Sequence, residues 1–364
     1  MLFFNKIILK EDDNVKKKEV WEKIKYFLKR YFITALNGMA IGLFASLILG
    51  TIIQTIAKIP GLYFLLTISS ALGTGEPTQG ALYGAAIGAG IALALKHKPI
   101  VVVTALAVGG IAVVCKGGPI GAYLAALLAA EVSGLVCGKT KLDIILVPLT
   151  GILLGGILSI LIGPAIGSLM DLIGQAINSA TEANPFWMGI IISTTVGMSL
   201  TAPISSAAIC ISIQLDGIAA GAAAVGCATQ MIGFAVCSVK KNGLNGLLSV
   251  GIGTSMLQFT NIIRKPLIWV PTIVASAILG PISTCLLQMP NSSVGAGMGT
   301  CGFVGQIEAV NTMIDAGYEW YTILWQVGLM HFILPVILVF SINLIFEKTK
   351  LISPDDYLLN REEF

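Results

Sequence analysis

Between residues 32 and 346 the chain has only 19 charged side chains in 315 residues, too few to give any soluble fold a wetted surface. Overall, 55% of residues are hydrophobic and 11% charged, whereas a soluble domain carries about a quarter charged. The charge is concentrated at the ends. Residues 1–31 hold nine Lys/Arg and five Asp/Glu, and residues 347–364 hold three and five. The middle is therefore lipid-soluble and the ends are wet. A net charge of +3, much of it in one tail, does not suit nucleic acid binding.

A helix needs about 20 apolar residues to cross a bilayer. Such runs lie near 32–57, 79–95 (short, joined to 61–72), 99–115, 118–137, 144–168, 186–213, 217–239, 243–263, 266–287 and 321–346. The expected fold is an all-α polytopic membrane protein of about ten transmembrane helices. Residues 14–31 alternate lysines with Val20, Trp21, Ile24, Phe27 and Leu28, as in a basic amphipathic helix on an anionic membrane face. A wet helix running into the first span is the other reading. With this segment cytoplasmic, alternating crossings put Lys96–Lys98, Lys139/Lys141, Arg264–Lys265 and Lys348/Lys350 inside, as the positive-inside rule requires. Two sites break the pattern by falling outside, Lys116 and Lys240–Lys241. Both could be buried at a functional site.

Those two sites occupy matching places in an internal repeat of about 125 residues. Glu76-Pro77-Thr78 aligns with Ala202-Pro203-Ile204, and Lys116-Gly117-Gly118 with Lys241-Asn242-Gly243. The organisation expected is a basic segment over 1–31, a transporter-like domain over 32–346 and a cytoplasmic tail over 347–364. Within the domain lie repeated halves over 60–168 and 186–287 and a Gly-rich re-entrant segment over 288–311. Duplicated halves with interrupted helices place a transporter's site at the repeat interface.

Two interruptions carry the candidate site. In Ala71–Gly80, glycines and Pro77 break any helix and strand the carboxylate of Glu76 beside Thr78. An acid between apolar runs is costly unless it meets water or a ligand, and an ordinary outer turn is the competing reading. In Pro290–Glu308, five glycines fall within eleven residues (295–305). This stretch is too flexible for a stable helix and too apolar for a wet loop. A re-entrant segment fits, with backbone groups at Gly297 and Gly299 and the side chains of Asn291, Thr300, Gln306 and Glu308 offered to a polar solute. A plain helix-packing crossing is the alternative. Glu131, among small residues, either carries a proton, pairs with Lys116, or is held by a structural partner. His331, beside Gln326, is a proton relay or a hydrogen-bonding residue. Gly80, Gly84 and Gly88 make a close-packing stripe. The seven cysteines lie in apolar or Gly-rich stretches without metal-ligand spacing. No cofactor or metal site and no catalytic constellation is visible, so enzymatic activity is not expected.

The Gly-rich run 295–306, Gly75-Glu76-Pro77 and the repeated Lys-x-Gly motif resemble the membrane (IIC-type) component of the sugar phosphotransferase system, in the branch of perfringolysin-regulator-like proteins. The resemblance covers about residues 30–346. It implies a homodimeric permease in a bacterial plasma membrane, served by separate cytoplasmic phosphoryl-carrier proteins. It also implies that Glu76 and residues 291–308 hold solute hydroxyls. The short tails leave no room for phosphoryl-carrying domains. The expected function is movement of a small polar solute, such as a sugar. The alternative is a membrane sensor that binds solute or partner without net transport.

Overall fold

The computed structural model describes residues 21–57, 61–74, 81–202 and 204–359. Glu76, Pro77, Thr78 and most of the basic N-terminal segment lie outside them. Among the described residues every regular element is helical, and one bridge pairs Gly217 with Asn291. Among the described residues, six helices are long and apolar enough to cross a membrane and three shorter ones are apolar in composition. In chain order we name α1 (Trp21–Ala57), α2 (Ala81–Ala94), α3 (Pro99–Val114), α4 (Gly118–Val136), α5 (Asp143–Ala183) and α6 (Pro185–Thr201). There follow α7 (Ser206–Ser212), α8 (Gly217–Leu248), α9 (Pro266–Leu287), α10 (Val304–Asp315) and α11 (Trp320–Lys348).

The expected runs do not become ten similar crossings. The basic segment, over its described part, continues unbroken into α1. The stretch 169–185 between the two expected halves is mostly helix, because α5 is a single 41-residue helix passing through Pro148 and Pro164. At 1.5 Å per residue it is about 60 Å long, twice the hydrocarbon thickness of a bilayer. The run 186–213 is broken after Thr201, and α7 returns. The run 243–263 does not cross at all. Gly243 takes φ 62, ψ −158, a conformation open only to glycine, and turns the chain into short π, 3-10 and α pieces between Ser249 and Arg264.

Without a hydrophobic drive between helices in lipid, small residues set which helices touch. On α2, Gly84 and Gly88 lie against the Gly109 and Ala105 carbonyls of α3, so the predicted stripe is a packing face. Ala86 and Gly90, on another face of α2, lie against Gly42 and Gly38 of α1. Four-residue spacing on each helix thus clamps α2 on two sides. The first core gathers Met39, Leu43, Ile87, Ile91, Val108 and Ala126 from α1 to α4. The other cores are built around α8, the most buried of the long helices. Residues Ala207, Ala208 and Ile211 of α7, with Val294 and Met298, join the first core and tie the two regions together.

One end of the molecule carries a tail. Lys240 pairs with Glu347 at 3.0 Å, Lys241 with Asp355 at 2.5 Å and Lys265 with Asp356 at 2.7 Å. Lys240–Lys241 therefore share an end with Arg264–Lys265 and the C-terminal tail, which corrects their expected outer placement. The cause is the turn at Gly243, which removes one crossing. Lys116 remains at the opposite end, exposed in a cleft of about 240 Å³ with Tyr83, Asp171 and Gln214.

Candidate functional site

Three interrupted segments meet part-way along α8, and glycine contacts set the depth of each. The 289–303 segment enters beside the start of α8, where the backbone N–H of Asn291 donates to Gly217 O and Gly221 lies under the Met289 carbonyl. It descends until Gly299 reaches Cys227 and Ala228. Ten residues of α8 correspond to about 15 Å, half a bilayer. α6 descends in parallel, with Gly197 against Gly226, and ends at Thr201. From the tail end, Gly251 packs on Ala235, and its carbonyl accepts Thr300 Oγ1 at 2.5 Å. Ser255 Oγ lies 2.8 Å from Thr201 Oγ1.

Gln230 of α8, fully buried, is the polar residue at this junction. Its Oε1 accepts from Trp269 Nε1 at 3.0 Å, Thr272 Oγ1 at 2.9 Å and Thr201 Oγ1 at 3.3 Å. An indole N–H only donates, so it fixes which amide atom is oxygen. Nε2 is then left buried with no acceptor. Leaving a buried amide unpaired costs about 1–3 kcal/mol, and a solute oxygen or water would remove that cost. Among the described residues no charged side chain bonds to Gln230, Thr201, Ser255, Thr272 or Thr300.

The structure brings most of the Gly-rich candidates together. Asn291 Nδ2 donates to Gly305 O at 3.1 Å, and its Oδ1 accepts the Ser292 N–H at 2.8 Å. Ser292 Oγ donates to Glu308 Oε2 at 2.6 Å. Glu308 is buried, and no cation stands within 4.0 Å of it among the described residues. Gly297 sits against the backbone of Ser206 and Ala207, and Ser206 Oγ donates to its carbonyl at 2.7 Å. Gln306 Nε2 donates to His331 Nδ1 at 2.8 Å, and Gln306 Oε1 is buried without a partner. His331 is thus a hydrogen-bonding partner of Gln306 in the last span.

Other candidates stand apart. Glu131 does not pair with Lys116, because Lys116 precedes α4 and Glu131 lies near its far end. Instead Arg30 Nη2 donates to Glu131 Oε1 at 2.6 Å, with His97 Nε2 at 3.8 Å. Burial, as the largest cause, holds the His97 imidazole below the usual histidine range; nearby Arg30 adds to this and Glu131 opposes it. Lys241 serves the tail and not the junction.

Sequence reasoning missed Gln230, Thr201, Ser255 and Trp269. The available signal was a lone glutamine in the uncharged run 217–239, since an amide at that depth requires partners.

The family "Phosphotransferase system, EIIC" matches residues 33–359 of the 364. The chain belongs to that family. No curated protein and no solved structure matches it. An EIIC chain is a membrane component of sugar phosphotransferase transport, which accords with the buried, uncharged polar junction. The matched region runs past α11 to Leu359, so the docked tail belongs to the EIIC domain and not to an appendage.

Proposed function

We propose that this EIIC chain is the permease subunit that carries a neutral, hydroxyl-rich solute of the sugar class across a bacterial plasma membrane. The observation that carries this reading is Gln230: a buried amide with a saturated oxygen and a free N–H pair, where three broken segments meet. Hydroxyls and amides without a fixed cation suit a neutral solute better than an anion. Glu308 adds an acceptor, because only Ser292 bonds to its carboxylate among the described residues. Glu76, Pro77 and Thr78 belong to the same proposed site by their Gly-Glu-Pro motif. In this reading both termini are cytoplasmic, the unit is a homodimer, and separate phosphoryl-carrier proteins act on the solute. The chain itself supplies passage and no catalysis.

The test is uptake of labelled hexoses, hexitols, pentoses and disaccharides by proteoliposomes. Saturable uptake of one class is expected. It should fall by about tenfold or more in Gln230→Met, which keeps the volume and removes the whole amide, its N–H donors and its oxygen together. No uptake across the panel, or uptake unchanged in Gln230→Met, would overturn the reading.

A further inference from the structure

Residues 351–359 close the tail end of the junction. A 3-10 turn, Pro354–Tyr357, is set by a capping box between Ser353 and Asp356. It delivers Tyr357 into the core, where the ring is almost fully buried near Phe234 and Tyr357 Oη donates to Asn343 Oδ1 at 2.7 Å. The tail backbone is then bonded by side chains from separate elements. Tyr357 O accepts from Asn242 Nδ2 at 2.8 Å and Gln258 Nε2 at 3.0 Å. Leu358 O accepts from Asn261 Nδ2 at 3.0 Å, and the Leu359 N–H donates to Asn242 Oδ1 at 2.9 Å.

Gln258 and Asn261 belong to the irregular 249–264 segment, which presents Ser255 to Thr201 at the Gln230 junction. That segment contains no helix longer than six residues. Short pieces of this kind open locally at low cost. Withdrawing the tail would leave the buried Gln258 amide and the Asn261 amide short of acceptors, so the closed position of 249–264 depends on the tail. The ion pairs of Lys241 with Asp355 and of Lys265 with Asp356 hold the tail from a partly exposed rim, and Lys240 pairs beside them with Glu347 at the end of α11.

We infer that residues 351–359 are a latch that keeps the 249–264 segment shut over the Gln230 junction, and that release of the latch opens the junction from that end. The gating role rests on the permease reading; the mechanical coupling does not.

Hydrogen exchange of the full chain in lipid nanodiscs tests the coupling. In Tyr357→Ala, amides of 249–264 should exchange about tenfold faster or more, with α2–α4 unchanged. Lys265→Glu should loosen the same segment without touching the core. Unchanged exchange in 249–264 in both single variants, or equal acceleration throughout the chain, would overturn the latch. Initial uptake should change by about threefold or more wherever 249–264 is loosened. Unchanged uptake with a loosened segment would overturn the gating role. Absent uptake in every variant, with the exchange pattern intact, would count against the permease reading and not against the latch.

Discussion

Gly299 and Gly302 both sit in the left-handed region at φ 54, yet their surroundings differ. A Cβ on Gly299 would stand 2.6 Å from the Cys227 carbonyl carbon, inside the backbone of α8. On Gly302 the nearest neighbour would be Val304 Cγ2 at 3.9 Å. Gly302→Ala should therefore cost only the backbone penalty, about 1–2 kcal/mol. Gly299→Ala adds a clash that nothing flexible can relieve and should cost on the order of 4 kcal/mol or more. Thermal unfolding of the two variants in detergent checks the order. Equal losses would mean that the descent along α8 is not tightly packed.

His97 makes a prediction about pH. Its folded-state imidazole is held below the ordinary value of about 6.5, mainly by burial. The unfolded chain then binds the proton more readily than the folded chain, so stability is present above that value and lost as pH falls below it. Wild-type melting temperature should drop as pH falls below about 6.5, and His97→Gln should flatten the drop. A parallel decline in both proteins would assign the loss to other groups. The triad of Arg30, Glu131 and His97 was illegible in the sequence, because a pairing between residues 101 apart leaves no local pattern. In the sequence, Lys116 is one of three alternatives for Glu131, beside a proton-carrying role and an unnamed structural partner.

At the scale of elements, hydropathy located the apolar runs, and the glycine density of Pro290–Glu308 marked a stretch that the structure builds from short helical pieces lying along α8. Hydropathy could not separate 243–263 from a true span, because a re-entrant piece lined by protein is as apolar as one lined by lipid. The decisive residue, Gly243, is one of many glycines. Its partner in the sequence alignment, Gly118, also has a positive φ, at 59. Nothing lies within 4 Å of a Cβ built at Gly243, so Gly243→Ala isolates the cost of the turn itself. It should destabilise by about 1–3 kcal/mol and speed exchange selectively over 244–264. Selectivity is the test, since a turn that merely fills space would show neither effect.

For the whole molecule, the ion pairs of Lys240, Lys241 and Lys265 with Glu347 and the tail put these residues on one face. α4 and α8 both start at the end where Lys116, Asp171 and Gln214 line a cleft, and both run away from it. Reporters placed at Lys139–Lys141 and after Leu359 should thus react with a membrane-impermeant reagent from the same side, and a reporter at Lys116 from the other. Reaction of Lys116 and the tail from one side would refute this arrangement. Overall class and membrane residence were legible because composition is a local property of the chain. The Gln230 junction was not, because it exists only where three distant segments converge.

Between Ala219 and Ala228 of α8, only Val225 and Cys227 are larger than alanine. Neighbouring carbonyls from Ser193 and Met289 press against its glycines. Alanine and glycine lie at the floor of side-chain size. Apart from an exchange between those two, every amino-acid-changing single-nucleotide substitution in their codons leads to a bulkier residue or to a stop. For this stretch the genetic code therefore offers almost no neutral step. The face of α8 that positions Gln230 therefore has room for far fewer substitutions than the helix faces turned to lipid.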